Sequence, residues 1–252
     1  MDYIKSFTNR AHSYSNAVEL YNDVLYEEFM TAINHLQLKK GDILLNVFAG
    51  GIPIDKYINP ELNITYLAFD MQKDFIVDSI QEFTYDKIPL QSNSINKIIC
   101  LASLHHLNIH ERDILYSEFY RILTSGGMLV IGDVICNSSQ ARWLNEFVDT
   151  YNSNGHRGLF FTEKDSQLIE KNGFNVDVTI NKYNWNFKDE TCLLDFFRLL
   201  FGLDLCGDDE ELLHSIKKSL HPVLYRPDLS GSDDLRSNIK IPWKLIYFNC
   251  IK

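Results

Sequence analysis

Short runs that are apolar at nearly every position, each closing on glycine or aspartate or on a small-residue turn, constrain this chain more than any other feature. Residues 43–48 (Ile-Leu-Leu-Asn-Val-Phe) run into Ala49-Gly50-Gly51, and residues 64–69 end at Asp70. Residues 97–102 and 127–132 repeat the pattern, the latter ending at Asp133. A strand wetted on one side alternates polar and apolar residues, so runs this continuous predict strands buried on both faces. A third, less apolar strand is expected near Glu82-Phe83-Thr84-Tyr85. Helical stretches fall between: a short one at 74–79, and a clearer one at 110–123 with Ile114, Leu115, Phe119, Ile122 and Leu123 on one side. Strands that alternate with helices and cross over right-handed give an α/β fold with a doubly wound, mostly parallel sheet.

The flanks differ. Residues 1–40 are polar, tyrosine-rich and helix-like. Val18, Leu20, Tyr21, Val24, Leu25, Phe29 and Ile33 mark one apolar helix face, closed at Gly41-Asp42. Past Asp133, helices are expected at 139–151, 164–172, 189–203 and 208–220, the last opening on an acidic, solvated turn suited to a helix N-terminus. Loops are expected at 152–158 and 227–238, and strands at 174–180 and 241–250. Pro242 marks the last strand as an edge or a strand start.

Lys plus Arg number 24 against 34 for Asp plus Glu, a net charge of −10. That field does not favour bare phosphate backbone, so small-molecule or protein partners are expected and nucleic acid is not. No run approaches the ~20 apolar residues of a membrane span, and the first residues lack the basic-then-apolar pattern of a secretion signal. Five cysteines, an odd number at wide gaps without CxxC, argue against a disulfide framework or structural zinc, and no metal site is expected. Cys100 and Cys250 read as small core residues, and a reducing cytoplasm fits best.

In an open α/β sheet, ligands bind beyond the carboxyl ends of the strands. Four features gather there: the bend Gly50-Gly51; Asp70, twenty residues after Gly50; the loop 88–96; and residues 101–107 after strand four. Glycine lets backbone N–H groups approach a ligand, and an acid at that distance can accept from both hydroxyls of a ribose.

With these residues in order, the chain resembles the class I S-adenosylmethionine (SAM)-dependent methyltransferases, closest to the ubiquinone/menaquinone-type and small-molecule enzymes. Residues 44–51 sit at that family's glycine-rich first motif, and Asp70 at its ribose-binding acid. Ile88-Pro89-Leu90 through Ile95-Asn96 matches its "LPF…D-N-S-F-D" loop, and Leu104-His105-His106-Leu107 a common sequence after strand four. Arg121 to Ile131 matches "R-x-L-x-x-G-G-x-L-x-I", the most specific piece. The motif support spans about residues 10–134; the rest follows the family only in general layout. There are departures. Asn46 stands where the family carries an acid, Phe48 and Ile52 replace two of three spaced glycines, and the adenine-reading acid falls at Thr84, with Asp86 nearby.

The resemblance implies a Rossmann-like domain over 1–252, with a helical cap (1–40), a SAM-binding core (41–134) and a substrate-side half of helices and final strands (135–252). It implies SAM as cofactor, held by Arg10, Tyr14, Asn46, Ala49, Gly50, Gly51, Asp70, Met71, Thr84, Tyr85 and Ala102. Arg10 and Tyr14 belong to a segment resembling "R-A-x-x-Y", which closes over SAM in that family: Arg10 to pair a carboxylate, Tyr14 to face the sulfonium or else to anchor a helix. The catalytic candidates are His105 and His106, unless an imidazole there only orients the loop, and His156 between two glycines, unless that is a plain surface turn. Asp133 either faces the substrate or caps the next helix. Trp185, Phe187, Phe196, Phe197, Phe201 and Trp243 form either core or pocket wall. Methyl transfer to a small molecule is the leading expectation. The alternatives are a SAM-consuming cyclase that releases methylthioadenosine, for example by closing an azetidine, and a non-catalytic binding protein. All of these rest on Asp70 lying beside the Gly50 bend at an open rim.

Overall fold

The computed structural model describes residues 3–50, 54–77, 79–224 and 239–252. Three helices lead, α1 (Tyr3–Phe7), α2 (Ala11–Leu20) and α3 (Tyr26–Leu36). Then come β1 (Ile43–Val47), β2 (Thr65–Asp70), β3 (Ile80–Glu82), β4 (Ile95–Leu101), α4 (Ile109–Ile122) and β5 (Leu123–Val134). Next, α5 (Ser139–Trp143) runs through a π turn at Leu144–Val148 into α6 (Asp149–Tyr151). The remainder is α7 (Ser166–Lys171), β6 (Asn175–Phe187), α8 (Glu190–Phe201), α9 (Asp209–Leu220), β7 (Val223–Leu224) and β8 (Ile239–Ile251).

The strands form one sheet in the order β3-β2-β1-β4-β5-β8-β6, with β7 beside β8. Pairs from β3 to β5 are parallel, and β8 runs antiparallel to β5, β6 and β7. The expected doubly wound, mostly parallel sheet is the one observed. Its two faces explain the continuous apolar runs. Leu45, Ile98, Leu129 and Ile246 join one core with Leu115, Phe119 and Ile122 of α4. Their neighbours Leu44, Ile99, Val130 and Leu245 join the other, with Phe29 and Ile33 of α3 and Phe196 and Phe197 of α8. Successive side chains enter opposite layers, and each layer is capped by helices.

Some expectations shift. Within the helix read at 74–79 the structure forms one 3-10 turn, Lys73–Phe75: Phe75 is buried, Ile76 packs on a small separate cluster, and Val77 is exposed. The third strand lies earlier, at Ile80–Glu82, while Thr84 and Lys87 exchange backbone hydrogen bonds across a turn. The amphipathic stretch 18–33 is two helices broken at residues 21–25, and both halves feed one core. β6 extends past residue 180, with Tyr183, Trp185 and Phe187 alternating into the core. β8 is not an edge: it lies between β5 and β6, and Pro242 falls in the part β5 does not reach, since that pairing stops at Leu245. The loop expected at 227–238 lies outside the described residues. All five cysteines are free, and no described helix is long and apolar enough to cross a membrane.

Candidate functional site

β1, β4 and β5 all end on the same side of the sheet, and a cavity of about 80 Å³ opens there. Arg10, Tyr14, Glu28, His105, His106 and His156 line it with apolar residues from α3, α8, β6 and β8. Two non-glycine residues at this edge adopt left-handed backbone, Phe48 after β1 (φ 59°) and Ala102 after β4 (φ 49°). A bulky side chain pays strain there, and such strain tends to sit at functional sites.

His105 and His106 lie in a 3-10 turn, Leu104–His106, just past β4. Asp133, at the end of β5 and fully buried, accepts from the His105 backbone N–H at 3.1 Å and lies 2.7 Å from His105 Nδ1. It therefore orients an imidazole and does not cap the following helix, whose cap is Ser138. His106 Nδ1 lies 3.3 Å from Ser6 Oγ. His156 is not a surface turn; it is buried. Its N–H donates to Asp149 Oδ1 at 2.8 Å, and the next loop residues are tied to Asn145 and to the His105 carbonyl. Any Cβ on Gly158 would lie 2.9 Å from His105 Cδ2, so only glycine lets this loop close on the ring. The buried Arg112 donates to the carbonyls of Leu104 and Leu159, fastening the two histidine-bearing turns together. Ring centroids are 4.1 Å apart for His105–His106, 5.4 Å for His105–His156 and 5.1 Å for His106–His156. Burial pushes the pKa of His106 and of His156 well below the ordinary imidazole value, so both are neutral at pH 7. His156 Nδ1 has no hydrogen-bond partner.

The nucleoside end is arranged differently. Asp70 lies beside the bend as expected, with Oδ2 accepting the Gly50 N–H at 2.8 Å and Oδ1 the Gln72 N–H at 2.9 Å. The rim, however, is not open. The Tyr3 hydroxyl donates to Asp70 Oδ2 at 3.1 Å, and Asp70 has no exposed surface. The Tyr3 ring packs on Phe48 and Phe7, with centroids 4.7 and 5.0 Å away. Gln72 also holds α1 in place, donating from Nε2 to the Ile4 carbonyl at 2.8 Å. Burial raises the Asp70 pKa to about 6 despite these donors. The cause is simple: the apolar rings of Tyr3, Phe7 and Phe48 gain by packing together, and in doing so they cover Asp70.

The other expected cofactor contacts divide. Arg10 reaches the cavity, donates to the Leu200 carbonyl at 2.6 Å, and leaves Nε buried and unpartnered. Burial lowers its pKa to about 10. Tyr14 lines the cavity and also packs edge-on against Phe7 and Phe75. Ala102 lines the cavity as well. Asn46 is buried elsewhere, donating to the Tyr66 hydroxyl at 2.9 Å. Ala49 is buried, Met71 packs against the α4-side core, Thr84 is exposed and Tyr85 is half-buried; none of these lines the cavity. Gly51 lies outside the described residues. Of the aromatic group, Trp185, Phe201 and Trp243 form cavity wall, while Phe187, Phe196 and Phe197 are core.

Residues 59–131 match the family model described as a methyltransferase domain. An uncharacterized methyltransferase of Bacillus cytotoxicus is 28% identical over 103 residues, which cover 37% of this chain and 48% of that protein. The chain thus spans about half the length of the curated relatives it matches. Among solved structures, the YcgJ protein of Bacillus subtilis superposes with a TM-score of 0.60 at 14% identity, covering 92% of this chain and 98% of that one. Phosphoethanolamine N-methyltransferase 2 of Haemonchus contortus, in complex with phosphomonomethylethanolamine and S-adenosylhomocysteine, gives 0.59 at 13% identity, covering 100% and 60%. Residues 59–131 are thus similar to a methyltransferase domain, and the chain shares the fold of these solved structures.

The matched segment is informative in where it begins. It starts past the Gly50 bend and takes in β2, β4 and the run into β5. The unmatched bend is where Phe48 replaces a family glycine and turns a ring inward beneath Tyr3. Sequence reasoning also missed a cavity residue, Glu28. It is buried on α3, accepts from Trp185 Nε1 at 3.2 Å, and is pushed up to a pKa of about 7 by burial. A signal was present: Leu25, Glu28, Phe29 and Ala32 share one helical face, so this acid sits within an apolar stripe.

Proposed function

We propose that the protein is a SAM-dependent methyltransferase acting on a small-molecule acceptor, and that the whole chain works as one domain: helical cap 1–40, SAM-binding core 41–134 and substrate side 135–252. One observation carries the reading: a cavity at the strand ends, where a cation with a free donor (Arg10), an aromatic face (Tyr14) and three imidazoles converge. When bound, SAM supplies an electrophilic methyl group on a sulfonium. Arg10 Nε is a ready donor for a carboxylate, and the Tyr14 ring suits a sulfonium by cation–π attraction. Asp70 and the Gly50 N–H form an acceptor–donor pair suited to a ribose, provided Tyr3 withdraws. A cavity of about 80 Å³ is far below the ~300 Å³ or more of ordinary ligand pockets, so α1 must move for the nucleoside to enter.

On the acceptor side, His106 and His156 offer neutral lone pairs, and Asp133 orients the His105 ring. Trp185, Phe201 and Trp243 exclude water and favour an acceptor with an apolar body. The net charge of −10 supports a small molecule over a nucleic acid, and five free thiols support a cytoplasmic setting. The test is calorimetry with S-adenosylhomocysteine, then incubation with SAM and candidate acceptors followed by mass analysis. S-adenosylhomocysteine and a product heavier by one methylene unit support the proposal. Methylthioadenosine released without an acceptor turns the reading to a cyclase, and no nucleoside binding turns it to a non-catalytic relative.

A further inference from the structure

We propose that His105, His106 and His156 form a binding site for a divalent first-row transition metal ion. One ring nitrogen from each lies within 4.8 Å of the others, and all three residues are buried at the cavity wall. A tetrahedral ion bonded at about 2.0–2.1 Å needs its nitrogens roughly 3.4 Å apart, so small ring rotations complete the site.

Three features separate this cluster from a chance meeting of histidines. The first is the outer shell. Asp133 holds His105 Nδ1, which leaves Nε2 as the lone pair, and carboxylate–histidine–metal triads are built this way. The second is the unpartnered His156 Nδ1, a buried polar atom left without a hydrogen bond. The third is preorganisation. Arg112 joins the two turns, and the His156 loop is tied to Asp149, to Asn145 and to the His105 carbonyl.

Imidazole ligands suit Zn²⁺, Fe²⁺, Co²⁺ and Ni²⁺ over Mg²⁺ and Ca²⁺. Three histidines leave a coordination position for water or an acceptor oxygen, the arrangement of catalytic rather than structural sites. An ion there would lower the pKa of a bound hydroxyl or enol, and Glu28 lies in the same cavity to take the proton. This role deepens the methyl-transfer reading, whereas the site itself stands without it.

The experiment titrates Co²⁺, then Zn²⁺, into the metal-stripped full chain. It reads visible ligand-field absorption and metal content by mass spectrometry, with S-adenosylhomocysteine binding measured separately. One equivalent of Co²⁺ is expected, with the intense bands of a low-coordinate site, displaced by Zn²⁺. His156→Gln and His106→Gln should weaken uptake at least about 100-fold, and Asp133→Asn about 10- to 100-fold. Uptake without ligand-field bands, or uptake unchanged in a folded His156→Gln protein, overturns the site. Metal uptake without nucleoside binding defeats the methyl-transfer reading and leaves the site standing; nucleoside binding without uptake does the reverse.

Discussion

The Tyr3 hydroxyl sits on Asp70 Oδ2, the oxygen that also receives the Gly50 N–H. A phenol thus occupies the acceptor that a ribose hydroxyl would use. Ligand binding at Asp70 must compete with α1. Tyr3→Phe removes the competing donor and keeps the ring. Hydrogen bonds to charged groups are worth about 1.5–3 kcal/mol, but this acid is partly protonated near its raised pKa. Affinity for S-adenosylhomocysteine should therefore rise by about three- to tenfold in calorimetry. Unchanged affinity would mean that α1 is no cover.

Asp70→Asn is predicted to act in the opposite direction. It keeps the shape and one acceptor oxygen but loses the charge. S-adenosylhomocysteine binding should weaken by on the order of 1–3 kcal/mol. Full affinity in the variant would remove Asp70 from the nucleoside contact.

Glu28 predicts a pH dependence of stability. Its folded pKa of about 7 lies above the ordinary carboxyl value of 4.5, so between those values the folded state holds more protons than the unfolded chain. Stability is then complete below about pH 4.5 and falls as the pH rises through 7, by on the order of 3 kcal/mol. Asp70, raised from 3.8 to about 6, slopes the same way over its lower window. Urea denaturation across pH 4.5–7.5 should show a flatter profile for Glu28→Gln; an identical profile would sink the assignment.

The turn bearing His105 and His106 leads directly into α4, whose start is held by a capping box between Asn108 and Glu111. Asn108→Ala should cost about 1 kcal/mol, lowering Tm by roughly 2–4 °C in calorimetry. No shift would show that tertiary packing alone fixes this helix start.

The parallel half of the sheet was legible because a strand buried on both faces must be apolar throughout, and residues 43–48 and 97–102 nearly are. The convergence of His105, His106 and His156 was legible only as separate suspicions. What joins them is Arg112 and the tight packing of Gly158, contacts between turns far apart in sequence. The cover over Asp70 was not legible, since a tyrosine near the start of the chain says nothing about which carboxylate it will meet. The strand expected at 174–180 continues to Phe187, where Lys182, Asn184 and Asn186 alternate with the buried Tyr183, Trp185 and Phe187 as a half-buried strand should.

Since β8 lies between β5 and β6, the sheet cannot be assembled in the order the ribosome delivers it. Until residues 239–251 emerge, β5 shows a bare hydrogen-bonding edge and β6 has no place to dock. The nascent protein must therefore spend the synthesis of residues 135–251 with an open sheet, the interval in which a chaperone has most to protect.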